Sequence, residues 1–322
     1  MIRRITILLA LCISTTAWSQ ISHQFTQYTF NPLPINPAAA GKDLALDATF
    51  IYRAQWVGVE GFPSTQSLAV HSPLNIANSS AGLYLVSERL GAEQSTYFML
   101  AYAYRRSYKF GKLSAGLSGG AIQKTLDGSA LRAPGGDYSG LIEHYDKLIP
   151  TTKQSGWAFE MNAGLFFNNS NLSIGLSALN LLGSKIKLST LASATEIQFG
   201  RTFNAFGSYK FELNRKYTIE PSLLFKTDMR RFQTDFSIIV DYKHNMWGGI
   251  TFRGNSRETK DAIAIVLGVN VKKIIRIGYS YDFTLSELSN VSSGSHEVGL
   301  NYKLNIKELV KPGKIIYNPR YL

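Results

Sequence analysis

Cysteine is almost missing: Cys12 is the single thiol in 322 residues, so the chain cannot hold an internal disulfide framework. Charge is scarce as well, at 17% Asp, Glu, Lys and Arg against about a quarter in an average soluble domain. No apolar run of about 20 residues exists, which excludes a bundle of membrane-spanning helices. Disorder is excluded by the opposite count, 45% hydrophobic residues, which is far too apolar for an unfolded chain. The five histidines, His23, His71, His144, His244 and His296, are scattered and never take the spacing of a metal site. Gly116-Leu117-Ser118-Gly119-Gly120 lacks the Gly-Lys-Ser/Thr ending of a phosphate loop. There is no Gly-x-Ser-x-Gly elbow, and no paired acids suited to acid–base work. Basic residues are spread along the chain rather than gathered in an aromatic-interleaved stripe, which argues against nucleic acid as a partner. Together these absences read against an enzyme, with no catalytic residue, cofactor or metal.

What is present begins with an export signal. Arg3 and Arg4, the apolar run Ile5–Ile13 and the small-x-small triplet Ala17-Trp18-Ser19 mark residues 1–19 as a secretory signal peptide. Cleavage after Ser19 removes Cys12, two arginines and no acid, which takes the formal charge from +12 to +10.

Beyond residue 43 the hydrophobic period is two, the period of strands. In Trp157–Phe167, Trp157, Phe159, Met161, Leu165 and Phe167 share one face, opposite Glu160, Asn162 and Gly164. The same alternation runs through Leu172–Ala178, Thr234–Tyr242, Ile275–Phe283 and His296–Leu304. Weaker versions cover Leu44–Tyr52, Thr65–His71, Gly82–Val86, Thr96–Tyr104, Lys112–Ile122, Thr202–Phe211, Tyr217–Lys226, Trp247–Phe252 and Ala262–Val271. That makes about 14 strands, an even number, as bacterial outer-membrane barrels require. One face is apolar and rich in Tyr, Phe and Trp; the other carries Ser, Asn, Asp, Glu, Gly and Arg. The first suits lipid and the second a polar interior.

Connection lengths alternate too. Arg106–Gly111, Asn168–Asn171, Glu212–Lys216, Lys243–Met246 and Lys272–Lys273 are tight, as periplasmic turns should be. Arg53–Ser64, Lys124–Ser155, Asn180–Arg201, Arg253–Asp261 and Thr284–Ser295 are longer, as outer loops should be. Only Ser72–Ala81 breaks the rule. The expected fold is therefore all-β, a multi-pass outer-membrane β-barrel in contact with outer-membrane lipid.

The segment from His23 to Gly41 has no strand pattern, because Pro32, Pro34 and Pro37 block both helix and ladder. Its run Phe25-Thr26-Gln27-Tyr28, Pro32-Leu33, Asn36-Pro37-Ala38 and Gly41 resembles the opening signature of the PorP/SprF family of type IX secretion system membrane proteins. Two later blocks are similar to that family as well. They are Tyr52-Arg53-Ala54-Gln55-Trp56 with Gly61-Phe62-Pro63, and Gly278-Tyr279-Ser280-Tyr281-Asp282-Phe283 with Ser295-His296-Glu297. Asn318-Pro319-Arg320-Tyr321 is similar to the family's Cys-Pro-basic-aromatic ending, with Asn318 where the cysteine would stand.

The resemblance implies a FadL-like barrel of about 14 antiparallel strands, serving type IX protein secretion and gliding motility without catalysis. Implied partners are periplasmic ring components or lipoproteins, and a secreted adhesin or its C-terminal signal domain. The implied alternative is a FadL-like channel for small hydrophobic solutes. The expected organisation is residues 1–19 signal peptide, 20–43 Pro-rich plug or clasp, 44–304 barrel, and 305–322 periplasmic tail. Candidate contact residues are the motif positions Tyr28, Asn36, Pro37, Gly41, Arg53, Gln55, Trp56, Pro63, Asp282, His296 and Glu297. Of these, Arg53 is placed to pair inside the lumen with Asp282 or Glu297.

Overall fold

Extended backbone sends successive side chains to opposite faces, so an alternating sequence needs one apolar and one polar surrounding. In the computed structural model of the chain, described for residues 23–305 apart from 44, 75–77, 134, 141, 146–148, 190–193, 256–258 and 273, both are provided. The expected signal peptide (residues 1–19) and, Asn305 apart, the expected tail (305–322) lie outside the described residues.

The strands are β1 (Ala45–Ala54), β2 (Ser64–Pro73), β3 (Ser79–Leu90), β4 (Glu93–Tyr108), β5 (Gly111–Asp127), β6 (Lys153–Asn168), β7 (Leu172–Leu179), β8 (Lys185–Ser189), β9 (Ala194–Gln198), β10 (Thr202–Tyr209), β11 (Phe211–Glu212), β12 (Tyr217–Thr227), β13 (Phe232–Tyr242), β14 (Met246–Asn255), β15 (Thr259–Val271), β16 (Ile275–Thr284) and β17 (Ser295–Asn305). Fourteen of them form one antiparallel wall. Each pairs with the next, β7 pairs with β10, and β10 pairs with β12. The wall closes through β17 on β1, from Ala45↔Asn305 to Ala54↔His296. Closure satisfies ladder groups that an open sheet would leave bare in lipid. The two-residue β11 extends the line of β10 along β12, and β8–β9 is a separate hairpin.

The burial pattern is inverted relative to a soluble protein. On β6 the exposed apolar side chains are Trp157, Phe159, Met161 and Leu165, and the buried ones include Glu160 and Asn162. An exposed apolar belt of this kind is the surface that meets lipid. Aromatic stacks edge it at the short-turn end, among them Tyr108–Phe110 and Phe110–Phe167. At that end the connection 74–78 is shorter than the sequence implied, because β2 and β3 run on to Pro73 and from Ser79. At the long-loop end, two connections are also tight: 91–92 and 228–231. The first turns on Gly91 at φ 56°, a left-handed conformation that glycine adopts without strain. Arg253, expected in an outer loop, is a strand residue of β14.

Residues 23–43 run through the interior from the long-loop end, at Glu88 and Lys226, to the short-turn end, at Ser80 and Arg105. Phe25, Phe30, Leu33, Ala38, Ala39 and Ala40 are all buried there against inward side chains such as Ile51, Trp247, Met99 and Phe166. Asn36 caps the short 3-10 turn Pro37–Ala39, accepting from the Ala38 amide at 2.9 Å. Its amide nitrogen donates to the Leu165 and Leu176 carbonyls of the wall at 2.9 and 3.2 Å.

Glycines on the inner face make the room. A Cβ at Gly116 would lie 2.4 Å from the Ala38 nitrogen, and one at Gly164 would lie 2.0 Å from Asn36 Oδ1. The Gly-rich stretch of β5 thus serves the interior segment. Gly116→Val is expected to cost about 1–3 kcal/mol through overpacking and to expose the segment to protease. Urea unfolding and limited proteolysis of the purified barrel check this, with Gly207→Val as control, since no atom lies within 4 Å of a Cβ at that position.

Candidate functional site

Five ionic side chains converge from the inner face near the long-loop end: Arg53 of β1, Asp235 of β13, Arg253 of β14, Asp282 of β16 and Glu297 of β17. Register brings them together. Arg53 lies directly opposite Glu297, and Asp235 directly opposite Arg253. Arg53 donates to Asp282 at 2.7 Å and to Glu297 at 3.1 Å. Arg253 donates to Asp235 at 2.8 Å and to Asp282 at 2.9 Å. All five are under 5% exposed. Buried ions lose hydration worth several kcal/mol each, so such a cluster persists only when its charges and lone pairs are met.

The interior segment supplies the missing donors. The amides of Thr26 and Gln27 donate to the two oxygens of Glu297, each at 2.8 Å. The Thr26 hydroxyl donates to Asp282 at 2.8 Å and accepts from Arg53 at 2.9 Å and Arg253 at 3.1 Å. Lys226, also buried, donates to the His23 carbonyl at 2.7 Å, and Gln24 donates to Gln233 at 3.0 Å. Two cations and three carboxylates therefore grip the segment at one point of its path.

The remaining motif residues divide by position. Tyr28 lies beside the cluster, its hydroxyl 2.9 Å from Ser222 Oγ and donating to the Asp235 carbonyl at 3.3 Å. Burial pushes its phenol up to about 12, so it stays neutral. Gln55 reaches the segment by donating to Gln24 at 3.2 Å. Asn36 and Pro37 hold the segment lower down, and Gly41 donates its amide to His71 Nδ1 at 3.1 Å. Gly41 has φ 64°, and a Cβ there would sit 2.4 Å from Ser80 Oγ, so only glycine fits.

Trp56 and Pro63 belong to the β1–β2 loop. The Trp56 amide donates to Ser295 Oγ at 3.1 Å, and the Pro63 carbonyl accepts from Gln55 at 2.8 Å. His296 is not part of the cluster: it faces outward, with Nδ1 2.8 Å from the Tyr279 hydroxyl. Its neighbour Glu297 points inward because strand parity separates the two.

Thr26, Asp235, Arg253 and Lys226 were not among the motif candidates. Asp235 had a signal, an acid on the inward face of an alternating strand, and such an acid needs a facing cation or hydrogen-bond donors. Arg253 answers it only once the β13–β14 register is known. Among the described residues no group of three or more His, Cys, Asp or Glu side chains could hold a metal ion.

Removing Arg53 leaves Glu297 with no cation and Asp282 with Arg253 alone, so Arg53→Ala is expected to cost about 3–5 kcal/mol. The exposed pair Lys185–Glu196 sets the comparison, and Lys185→Ala should cost under about 1 kcal/mol. Thr26→Val, which deletes only the hydroxyl, should cost about 1–3 kcal/mol. Urea midpoints in detergent rank the three.

No curated protein matches the chain by sequence. Solved structures similar to it include the toluene transporter TbuX of Ralstonia pickettii, at 11% identity and TM-score 0.49 over 84% of this chain and 92% of that one. A FadL homologue of Pseudomonas aeruginosa is similar at 11% identity and TM-score 0.47, over 90% and 96%. The family model described as type IX secretion system membrane protein PorP/SprF matches residues 17–302. With that span covering the interior segment, the cluster and nearly the whole wall, the chain belongs to the PorP/SprF family of type IX secretion system membrane proteins and lies in the outer membrane.

Proposed function

We propose that the protein is a non-enzymatic outer-membrane component that supports the export or surface attachment of secreted proteins, gliding adhesins among them. The observation that carries this reading, beyond family membership, is the interior segment. Residues 23–43 cross the barrel from one end to the other and are gripped near the long-loop end, at Thr26 and Gln27, by buried charge. A barrel filled by its own chain is suited to presenting surfaces to partners rather than to passing solute. Its partners in this reading are periplasmic secretion components on the short-turn side and a secreted protein on the long-loop side. Outer-membrane barrels place short turns in the periplasm and long loops outside, which sets these two sides.

Deletion of the gene is expected to deplete the cell surface of proteins bearing the type IX C-terminal signal, read by comparing surface proteomes. An unchanged surface proteome would overturn the reading. Purified barrel in liposomes is expected to give no flux of small hydrophobic solutes above that of empty vesicles. Clear flux would favour the solute-channel alternative instead.

A further inference from the structure

The wall is closed, yet one stretch of it has a strand on one side only. β6 pairs with β5 along its whole length, from Lys153 to Asn168. On its other side β7 pairs only with Ala163–Asn168. β7 ends at Leu179, and β10 enters opposite it at Thr202. No strand among the described residues pairs with the β7 side of Lys153–Asn162.

The chain between β7 and β10 does not fill this gap as wall. It turns at Asn180, φ 55°, and bonds the edge at two points. The Leu181 amide donates to the Met161 carbonyl at 2.9 Å, and the Ser184 hydroxyl to the Phe159 carbonyl at 2.5 Å. It then passes to the inner face, where Ile186 Cγ2 lies 2.2 Å from where a Gly156 Cβ would stand. Ile186 and Leu188 are buried there against Ile122, Ala158 and Phe199. The β8–β9 hairpin is thus a cap over the interior, not a member of the wall.

Backbone groups of alternate residues point to the same side of a strand. Since the Met161 carbonyl points into the gap, so do the N–H and C=O of Trp157. The side chains flanking this edge are the most exposed large apolar ones of β6: Trp157 is 63% and Phe159 73% exposed. Outward apolar residues put this part of the edge beside the lipid, where a backbone group has no water to bond it. Lipid offers no hydrogen bonds to meet it; a polypeptide in extended form offers a full ladder. Directly below the edge, at the Ala163↔Ala178 rung, the outer face dips into an apolar groove of about 870 Å³. Leu117, Leu165, Leu176 and Phe203 line it beside the two alanines.

We propose that the free edge of β6 at Trp157, above the two bonded carbonyls of Phe159 and Met161, receives an extended, alternating segment of an exported polypeptide, which adds as a strand there and turns apolar side chains toward the outer-face groove below. This deepens the secretion reading and rests on it for the identity of the partner, though not for the edge.

The experiment places p-benzoylphenylalanine at Phe159 in the full-length protein in living cells, with Phe252 on the fully paired β14 as control. Irradiation is expected to give a polypeptide adduct at 159 and none at 252, and mass spectrometry should map the adduct to one alternating segment. Trp157→Pro adds the decisive arm. The amide it removes points into the gap, so the β5 ladder survives. The barrel should keep its heat-modifiable migration while the adduct at 159 falls about tenfold, with Trp157→Ala changing it far less.

Lipid adducts alone, adducts equally strong at 252, or an adduct unaffected by Trp157→Pro in a folded barrel would each overturn the proposal. An edge-specific, proline-sensitive adduct with a polypeptide unrelated to export would uphold the edge as a strand acceptor. The same result would count against the secretion reading.

Discussion

Two guanidinium groups and three carboxylates share a volume inside the barrel from which water is largely excluded, and the rest of the architecture is arranged around keeping them paired. Their attraction alone does not offset the lost hydration; the remaining lone pairs must also be met. The backbone amides of Thr26 and Gln27 and the hydroxyl of Thr26 do this. The cluster therefore couples three things that are far apart in the chain. It joins the start of the interior segment to the last strand, it spans the seam where β17 closes on β1, and it sets the height at which that segment sits.

Below that anchor the segment is held mainly by shape and neutral hydrogen bonds, with Arg105 on the Ala40 carbonyl and Lys303 on Asp43 at its far end. Its prolines prevent it from joining any ladder, so its backbone groups find wall carbonyls, side-chain amides and short turns instead. The glycines of β5 and β6 clear a path for it, which gives the Gly-rich stretch a packing role in place of the phosphate-loop reading its letters invite. The hairpin β8–β9 closes over the other end of the interior with its own apolar pair, Ile186 and Leu188. Drawing that hairpin inward leaves β6 with an edge that the wall does not cover, so interior filling and edge exposure are two sides of one local choice.

Much of this was legible in the sequence. The alternation at Trp157–Phe167 marks a lipid-facing strand without any knowledge of its neighbours, because parity is a property of the local backbone. The strand count and the short turns are read from where that alternation starts and stops. The tight turns 91–92 and 228–231 were harder to see. There the strands run on through charged and polar residues such as Glu88, Arg89 and Lys226, which break the apolar pattern while still facing inward or lying above the lipid. Arg253 was misplaced for the same reason: a charged residue at a strand's end looks like loop until the acid facing it is known.

The sequence by itself determined the secondary structure type, the two faces and the family, because each depends on residues close together in the chain or on motifs carried whole. Tertiary structure alone decided which charges meet. Arg53 opposite Glu297, and Asp235 opposite Arg253, depend on register and closure, and register is set by the summed packing of the whole wall rather than by any one strand. Tertiary structure also decided that the Pro-rich segment lies inside, and that β6 outruns β7. Both depend on how much interior volume the closed barrel leaves and on which part of the chain fills it. The near absence of cysteine fits that solution: closure of the wall and one compensated charge cluster supply the long-range ties that disulfides supply elsewhere.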